Sequence, residues 1–350
     1  MEERSITHSR PMLGEADRVD IEAVLNSGML ERGARVEAVE AWFRDAFGAR
    51  AAIATGSGSQ ALLLALRSLG VGQGDEVILP SYVCPEVMGP IHLLGANAVL
   101  VDSADDFLPV TQSIARAVSP RTRAIVFPYL FGIHRAIDDV VALGLPVIED
   151  CAHFLAPGVP GGGIVGDLAF FSFKATKLVA GGEGGLVLTR SDARARALRA
   201  ASACALPGVV SSLYAFSDLS AALVASQLRR YAEFANDRQR IARAYVAACD
   251  QLPGIEVGAA ARRAPVPFRL PLRVESAARA DALIAALARR RIVARRPVEP
   301  TCHQCLGLAG FPGASALHAS TVSLPLYPAL DPDAVAGVIS ALREAWDEVR

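Results

Sequence analysis

The sequence predicts an α/β protein with a mainly parallel sheet covered on both faces, followed by a smaller α+β part. Two observations carry this. Between Ala51 and Leu188 short apolar runs alternate with helical stretches, the pattern of strands buried on both faces. After Ser191 the alternation stops, and Leu252, Pro253 and Gly254 end a long helical stretch. A large domain is expected over 1–251 and a small one over 252–350.

Taken in order, Asp17–Asn26 and Ala34–Phe47 read as amphipathic helices. Ala51–Ala54 is a short strand, and Ser59–Leu69 a helix that is apolar nearly all round. A turn at Gly70–Gly74 leads into a second strand, Glu76–Leu79. Pro85–Leu94 reads as helix, Ala98–Val101 and Ala124–Phe127 as strands, Ala136–Leu143 as helix and Val147–Ile148 as strand. Leu168–Phe173 and Leu186–Leu188 are strands on either side of a Gly-rich connection. Ser217 is an N-cap residue type ahead of one helix from Asp218 to about Gln251. Beyond the break, strands are expected near Phe268–Val274 and Ile292–Ala294, with helices at Ala277–Arg289 and Pro332–Asp347.

Hydrophobic residues make up 52% of the 350, enough for a sizeable core. A net charge of −1 offers no strong field to attract nucleic acid. The polar start, Met1–Pro11, lacks the apolar stretch and cleavage site of a secretory leader. No apolar run approaches the roughly 20 residues of a membrane span. A cytoplasmic protein with free thiols at its six cysteines is expected. Cys302 and Cys305 form a C-x-x-C around His303, without a second pair at metal-site spacing, so loop cysteines are expected rather than a metal.

Three motifs carry chemistry. Thr55–Ala61 contains Ser57, Gly58 and Ser59 between a strand and a helix, where backbone N–H groups and hydroxyls hold phosphate. This run also fits a dinucleotide fingerprint or a plain tight turn. A dinucleotide site asks for an acidic residue at the end of the second strand. Asp75 and Glu76 instead lead into that strand, which counts against a nicotinamide cofactor. In the second motif, Pro146–His153, a strand delivers Asp150 to its C-terminal end. A carboxylate there either pairs with a protonated ring nitrogen or caps a helix. The third, Phe171–Lys177, places two lysines, Lys174 and Lys177, after a strand and before Gly181–Gly185. A lysine in a desolvated pocket is a nucleophile, and Ser172 is positioned to touch phosphate. Each motif alone has an ordinary reading; their order along the chain points to a pyridoxal-5′-phosphate (PLP) enzyme.

At these residues the chain resembles the DegT/StrS family of PLP-dependent sugar aminotransferases, whose large domain is of fold type I. The resemblance runs over nearly the whole sequence. It rests on Ser27–Gly33, Gly72–Pro80, Ile148–Asp150, Ser172–Lys177 with Gly182–Gly185, and Ser323–Leu326. It implies that Lys177, rather than Lys174, carries PLP as a Schiff base and shuttles the proton, and that Asp150 pairs with the ring nitrogen. It also implies that Ser57, Gly58, Ser59 and Ser172 bind the phosphate, and that His153, where the family often has Gln, bonds near the 3-oxygen. An amino donor, glutamate, and a keto-sugar nucleotide or related cyclic ketone are the implied substrates. A homodimer with interfacial active sites is implied too.

The sequence departs from the family at two places. Cys84 falls where an aromatic residue usually stacks on the cofactor, and Tyr82 is the candidate to supply that ring. An Asn-Tyr-Arg segment that serves the partner subunit's phosphate is represented here by Leu213, Tyr214 and Ala215. Rival readings are a PLP enzyme of the same fold that eliminates or decarboxylates a non-nucleotide substrate, and a non-catalytic PLP-binding protein.

Overall fold

The computed structural model describes residues 5–158, 164–203 and 213–350. Its centre is a seven-stranded sheet: β1 (Ala51–Thr55), β2 (Glu76–Pro80), β3 (Asn97–Val101), β4 (Thr122–Pro128), β5 (Val147–Asp150), β6 (Leu168–Ser172) and β7 (Gly185–Thr189). The spatial order is β1-β7-β6-β5-β4-β2-β3. Only β7 runs against its neighbours. The inner strands are apolar and buried along nearly their whole length, as a sheet covered on both faces requires.

Two helices precede the sheet, α1 (Glu15–Ser27) and α2 (Ala34–Phe47). Val36, Val39 and Phe43 form the buried stripe of α2, at the i, i+3, i+7 spacing of an amphipathic helix. Phe43 packs against Phe171 at 4.8 Å between ring centres. The connection from β1 opens α3 (Gly58–Ser68), whose N-cap Ser57 accepts the Gln60 N–H at 3.2 Å. Parallel strands β4, β5 and β6 end along one edge of the sheet, and α3 begins there. That edge is where open α/β sheets bind ligands.

Several expected elements come out differently. The stretch Asp218–Gln251 is two helices, Asp218–Arg229 and Tyr231–Cys249. Arg230 at the junction has φ −105° and ψ 8°, and it reaches across to the buried Asp17 of α1 at 2.5 Å. Pro85–Leu94 is a 3₁₀ turn, Pro85–Val87, running into a short helix, Met88–Leu93. Helices Thr111–Ala117 and Asp192–Ser202 are additional. Ile292–Ala294 is not a strand, and makes only a single bridge from Ile292 to Ile6. The strand expected near Phe268–Val274 shortens to β8 (Pro271–Arg273), which pairs with β9 (Thr321–Ser323).

We propose that the chain divides near residue 252. Residues 5–9 nevertheless cross to the later part: the Ile6 N–H donates to the Arg291 carbonyl and the Val293 N–H to the Ile6 carbonyl. Among the described residues, no helix is long and apolar enough to cross a membrane.

Candidate active site

A cavity of about 300 Å³ opens at the edge where β4, β5 and β6 end. Ser57, Gly58, Ser59 and Ser172 line one end of it, and Asp150, His153 and Lys177 line the rest.

The first end is built by close approach of backbone. A Cβ on Gly58 would stand 2.9 Å from the Ser172 Cβ, and one on Gly185 would stand 2.5 Å from the Ser57 carbonyl oxygen. Glycine at both positions lets the first turn of α3 lie against the start of β7 and the end of β6. Free N–H groups of that turn and the serine hydroxyls meet there, a combination that holds phosphate.

Asp150 ends β5 and is 6% exposed. Its Oδ1 accepts the Ala152 N–H at 2.9 Å, and no ion pair neutralises it among the described residues. Burial pushes its pKa up to about 6, with the Ala152 N–H and the Lys177 charge pulling the other way. Lys177 follows β6. Burial lowers its amine, Asp150 partly opposes this, and the positive charge of Arg269 adds to it. A lowered amine is a more available nucleophile. Lys174 also lines the cavity, but at its exposed rim, where its Nζ pairs with Glu86 at 3.1 Å.

His153 stacks on Phe268 with ring centres 4.1 Å apart and accepts the Phe131 N–H at 3.5 Å through Nδ1. Burial first, then the charges of Lys177 and Arg269, hold it well below the usual histidine range. It is therefore neutral, and Nε2 carries the proton.

Tyr82 is a correction. It does not line the cavity; it is fully buried, with its ring centre 5.9 Å from Phe107 and 6.5 Å from Phe131. It lies past the end of β2, where the chain bends and buries its ring in the core, and the next two residues, Val83 and Cys84, line the cavity instead. Asp75 and Glu76 are committed at the opposite edge: Glu76 pairs with Arg121 at 2.5 Å and Asp75 with Arg123 at 3.0 Å. Cys302 opens a short helix, Cys302–Leu306, and its thiol donates to the Val83 carbonyl at 3.6 Å, while Cys305 is exposed. No cluster of metal-ligating residues occurs among the described residues. Tyr214 packs on its own chain, its hydroxyl accepting from Arg67 at 3.0 Å.

Two contributors were not read from the sequence. Tyr129 lines the cavity just past the end of β4, and its place at a strand end was a usable signal. Phe268 backs both His153 and Lys177, whose Nζ lies 5.4 Å from the ring centre, and it carries no local signal.

The donor set fits PLP: a helix start with serine hydroxyls for the phosphate, a buried carboxyl for a ring nitrogen, and a lysine amine lowered by burial, all lining one cavity. Comparison with known proteins agrees. The profile of the DegT/DnrJ/EryC1/StrS aminotransferase family matches residues 11–343. The chain is 31% identical to the spore coat polysaccharide biosynthesis protein SpsC of Bacillus subtilis, with 97% of this chain and 96% of SpsC covered. Among solved structures, the aminotransferase TlmJ from Streptoalloteichus hindustanus superposes with a TM-score of 0.87 at 28% identity, covering 99% of this chain and 100% of that one. DesI, solved in the presence of its TDP-sugar product, gives 0.88 at 26% identity, covering 98% and 93%. The fold is thus the fold type I arrangement of these enzymes.

Proposed function

This chain belongs to the DegT/DnrJ/EryC1/StrS aminotransferase family and is a PLP-dependent aminotransferase, and from that premise we propose that it moves an amino group from glutamate to the ketone of a nucleotide-linked sugar. The observation that carries the reaction type is the single cavity shared by Lys177, Asp150 and the N-terminal turn of α3. SpsC by name, and DesI by the product in its structure, support a sugar acceptor.

The bound cofactor supplies an electron sink for the carbon–hydrogen bond next to the migrating nitrogen. In our reading, Ser57, Ser59, Ser172 and the Gly58 N–H hold its phosphate, and Gly58 keeps the backbone close enough to do so. Asp150 would hold a proton on the ring nitrogen, and the burial that raises its pKa favours such a cationic partner. His153, fixed against Phe268, would offer its other ring nitrogen to the cofactor's 3-oxygen. Lys177 would carry the cofactor, and its freed amine would be the base that moves a proton during the exchange. Cys84, which lines the cavity, would stand where the family's stacking ring does, with a smaller side chain.

We also propose that the active unit is a homodimer with its sites at the subunit boundary. Light scattering on the active protein checks this; a fully active monomer would refute it.

The test of the main reading is spectroscopic. Purified protein loaded with PLP shows a lysine-bound cofactor band that glutamate bleaches, and a keto-sugar nucleotide restores it. Lys177→Ala protein that still transaminates normally would overturn the assignment. Restoration by a non-nucleotide cyclic ketone alone would correct the acceptor; the absence of the family's Asn and Arg beside Tyr214 makes that comparison worth running.

A further inference from the structure

Once the residues fitted to the cofactor are set aside, Glu86, Lys174, Thr176 and Glu183 remain at the rim of the cavity. Tyr129 lines it too, but its hydroxyl is turned to Glu149. Glu86 and Lys174 neutralise each other in their 3.1 Å pair. Thr176 and Glu183 are exposed, and their side chains make no hydrogen bond or ion pair among the described residues. The Lys174 ammonium is held up first by its bond to Glu86, and the more distant charge of Glu183 adds to this. The rim therefore carries one carboxylate more than its lysine balances.

Glu183 stands on fixed backbone. The Ala175 N–H donates to the Gly182 carbonyl at 2.9 Å, and the Phe173 N–H to the Gly184 carbonyl at 2.8 Å. Those two glycines have φ of 81° and 133°, which side chains rarely adopt. A Cβ on Gly184 would stand 2.5 Å from the Phe216 ring. The turn is thus bonded and packed on both sides of Glu183, and it delivers a free carboxylate to the cavity that holds Lys177.

Transamination passes two substrates through one cavity, and each must be recognised there. The amino donor brings carboxylates, which an unpaired carboxylate at the rim repels. A ketone with ring hydroxyls brings O–H donors instead. The two oxygens of a carboxylate accept neighbouring hydroxyls in short, charge-assisted bonds, and a threonine hydroxyl both donates and accepts. Leu62, Val83 and Val87 add apolar surface for the C–H groups of such a ring. We propose that Glu183 and the Thr176 hydroxyl bind ring hydroxyls of the acceptor, and so select a polyhydroxylated ketone over a keto acid. The inference rests on the aminotransferase reading and names the residues that tell acceptor from donor.

The experiment uses protein loaded with pyridoxamine phosphate, so that return of the lysine-bound cofactor band follows the acceptor half-reaction by itself. The acceptors are a keto-sugar nucleotide, a pentahydroxycyclohexanone and 2-oxoglutarate, which has no hydroxyls. Glutamate added to PLP-loaded protein reports the donor half-reaction. Glu183→Gln is expected to weaken the hydroxylated acceptor that the wild type uses by at least about tenfold. Thr176→Ala weakens it by about threefold. In both variants 2-oxoglutarate and glutamate bind as in the wild type or more tightly. Cofactor affinity, titrated by absorbance on the cofactor-free protein, stays within about twofold. A Glu183→Gln protein that takes the hydroxylated acceptor like the wild type overturns the proposal. So does an equal loss for 2-oxoglutarate, which marks a structural role. A wild type restored by 2-oxoglutarate but by neither hydroxylated ketone overturns it as well. If none of the three restores the band, the aminotransferase reading itself fails, and the inference falls with it.

Discussion

Glu149 and Asp150 are consecutive acids on β5, both buried, and they have opposite surroundings. Glu149 Oε1 accepts the N–H groups of Val165 and Gly166 at 2.7 and 2.6 Å, and Oε2 accepts the Tyr129 hydroxyl at 2.7 Å. Asp150 accepts one N–H and turns the rest of its capacity to the cavity. Both are pushed upward by burial. A buried acid whose oxygens are filled by the fold is structural. One left under-filled beside a cavity is held ready for a partner. Lysines show the same division: Lys174 is spent on a rim ion pair with Glu86, whereas Lys177 has no acid within ion-pair reach among the described residues.

The comparison predicts effects that descend in size. Lys177→Ala is expected to lower transamination by about 10³-fold or more, since it removes both cofactor attachment and the proton carrier; single-turnover absorbance measures this. Asp150→Asn should lower it by roughly 10²-fold while the fold stays intact, because a neutral amide cannot hold the ring proton. Should Asp150→Asn turn over like wild type, the contrast between the two acids loses its functional half.

Glu149→Ala, by contrast, strands two N–H groups and the Tyr129 hydroxyl. A stability loss of about 3 kcal/mol is expected, read by denaturant unfolding, with the cofactor band of the surviving folded protein in place. A lost band with unchanged stability would reverse the assignment of roles.

Acidity sharpens the same point. Without cofactor, Asp150 has a pKa raised to about 6, so the folded chain holds this proton more tightly than the unfolded one. Its contribution favours folding below the unfolded value near 4 and is lost as pH rises through about 6. Relative to Asp150→Asn, the cofactor-free wild type should lose about 2 kcal/mol across that window. Added PLP should shrink the loss, as thermal melts at several pH values will show. Lys174→Ala closes the series with a change below about 1 kcal/mol in stability, as an exposed pair predicts, and with turnover within severalfold of wild type.

The site was legible where chemistry follows local rules. A strand-end acid, a glycine-rich helix start and a lysine after a buried strand announce themselves through spacing, so Asp150, Gly58 and Lys177 could be read from the chain. What depends on distant partners could not. The helix break at Arg230 answers to Asp17, more than 200 residues earlier, and local helix propensity carries no trace of it. Tyr82 was assigned by proximity to a motif, but the bend after β2 packs its ring against the distant Phe107 and Phe131 and leaves the cavity to Cys84. Phe268 comes to stand behind His153 and Lys177 only because the later part of the chain folds back on the sheet.

The residues before α1 carry a consequence for how the molecule assembles. Ser9 meets Arg269 across 260 residues, and His8 meets Ser323 across 315. Contacts this remote raise contact order and form late, and during synthesis the early segment waits until almost all of the sheet and its helices have left the ribosome. Its docking then acts as a completeness check: a chain that stops short of Ser323 carries Asp150 and Lys177 but cannot make the contact from His8 to Ser323.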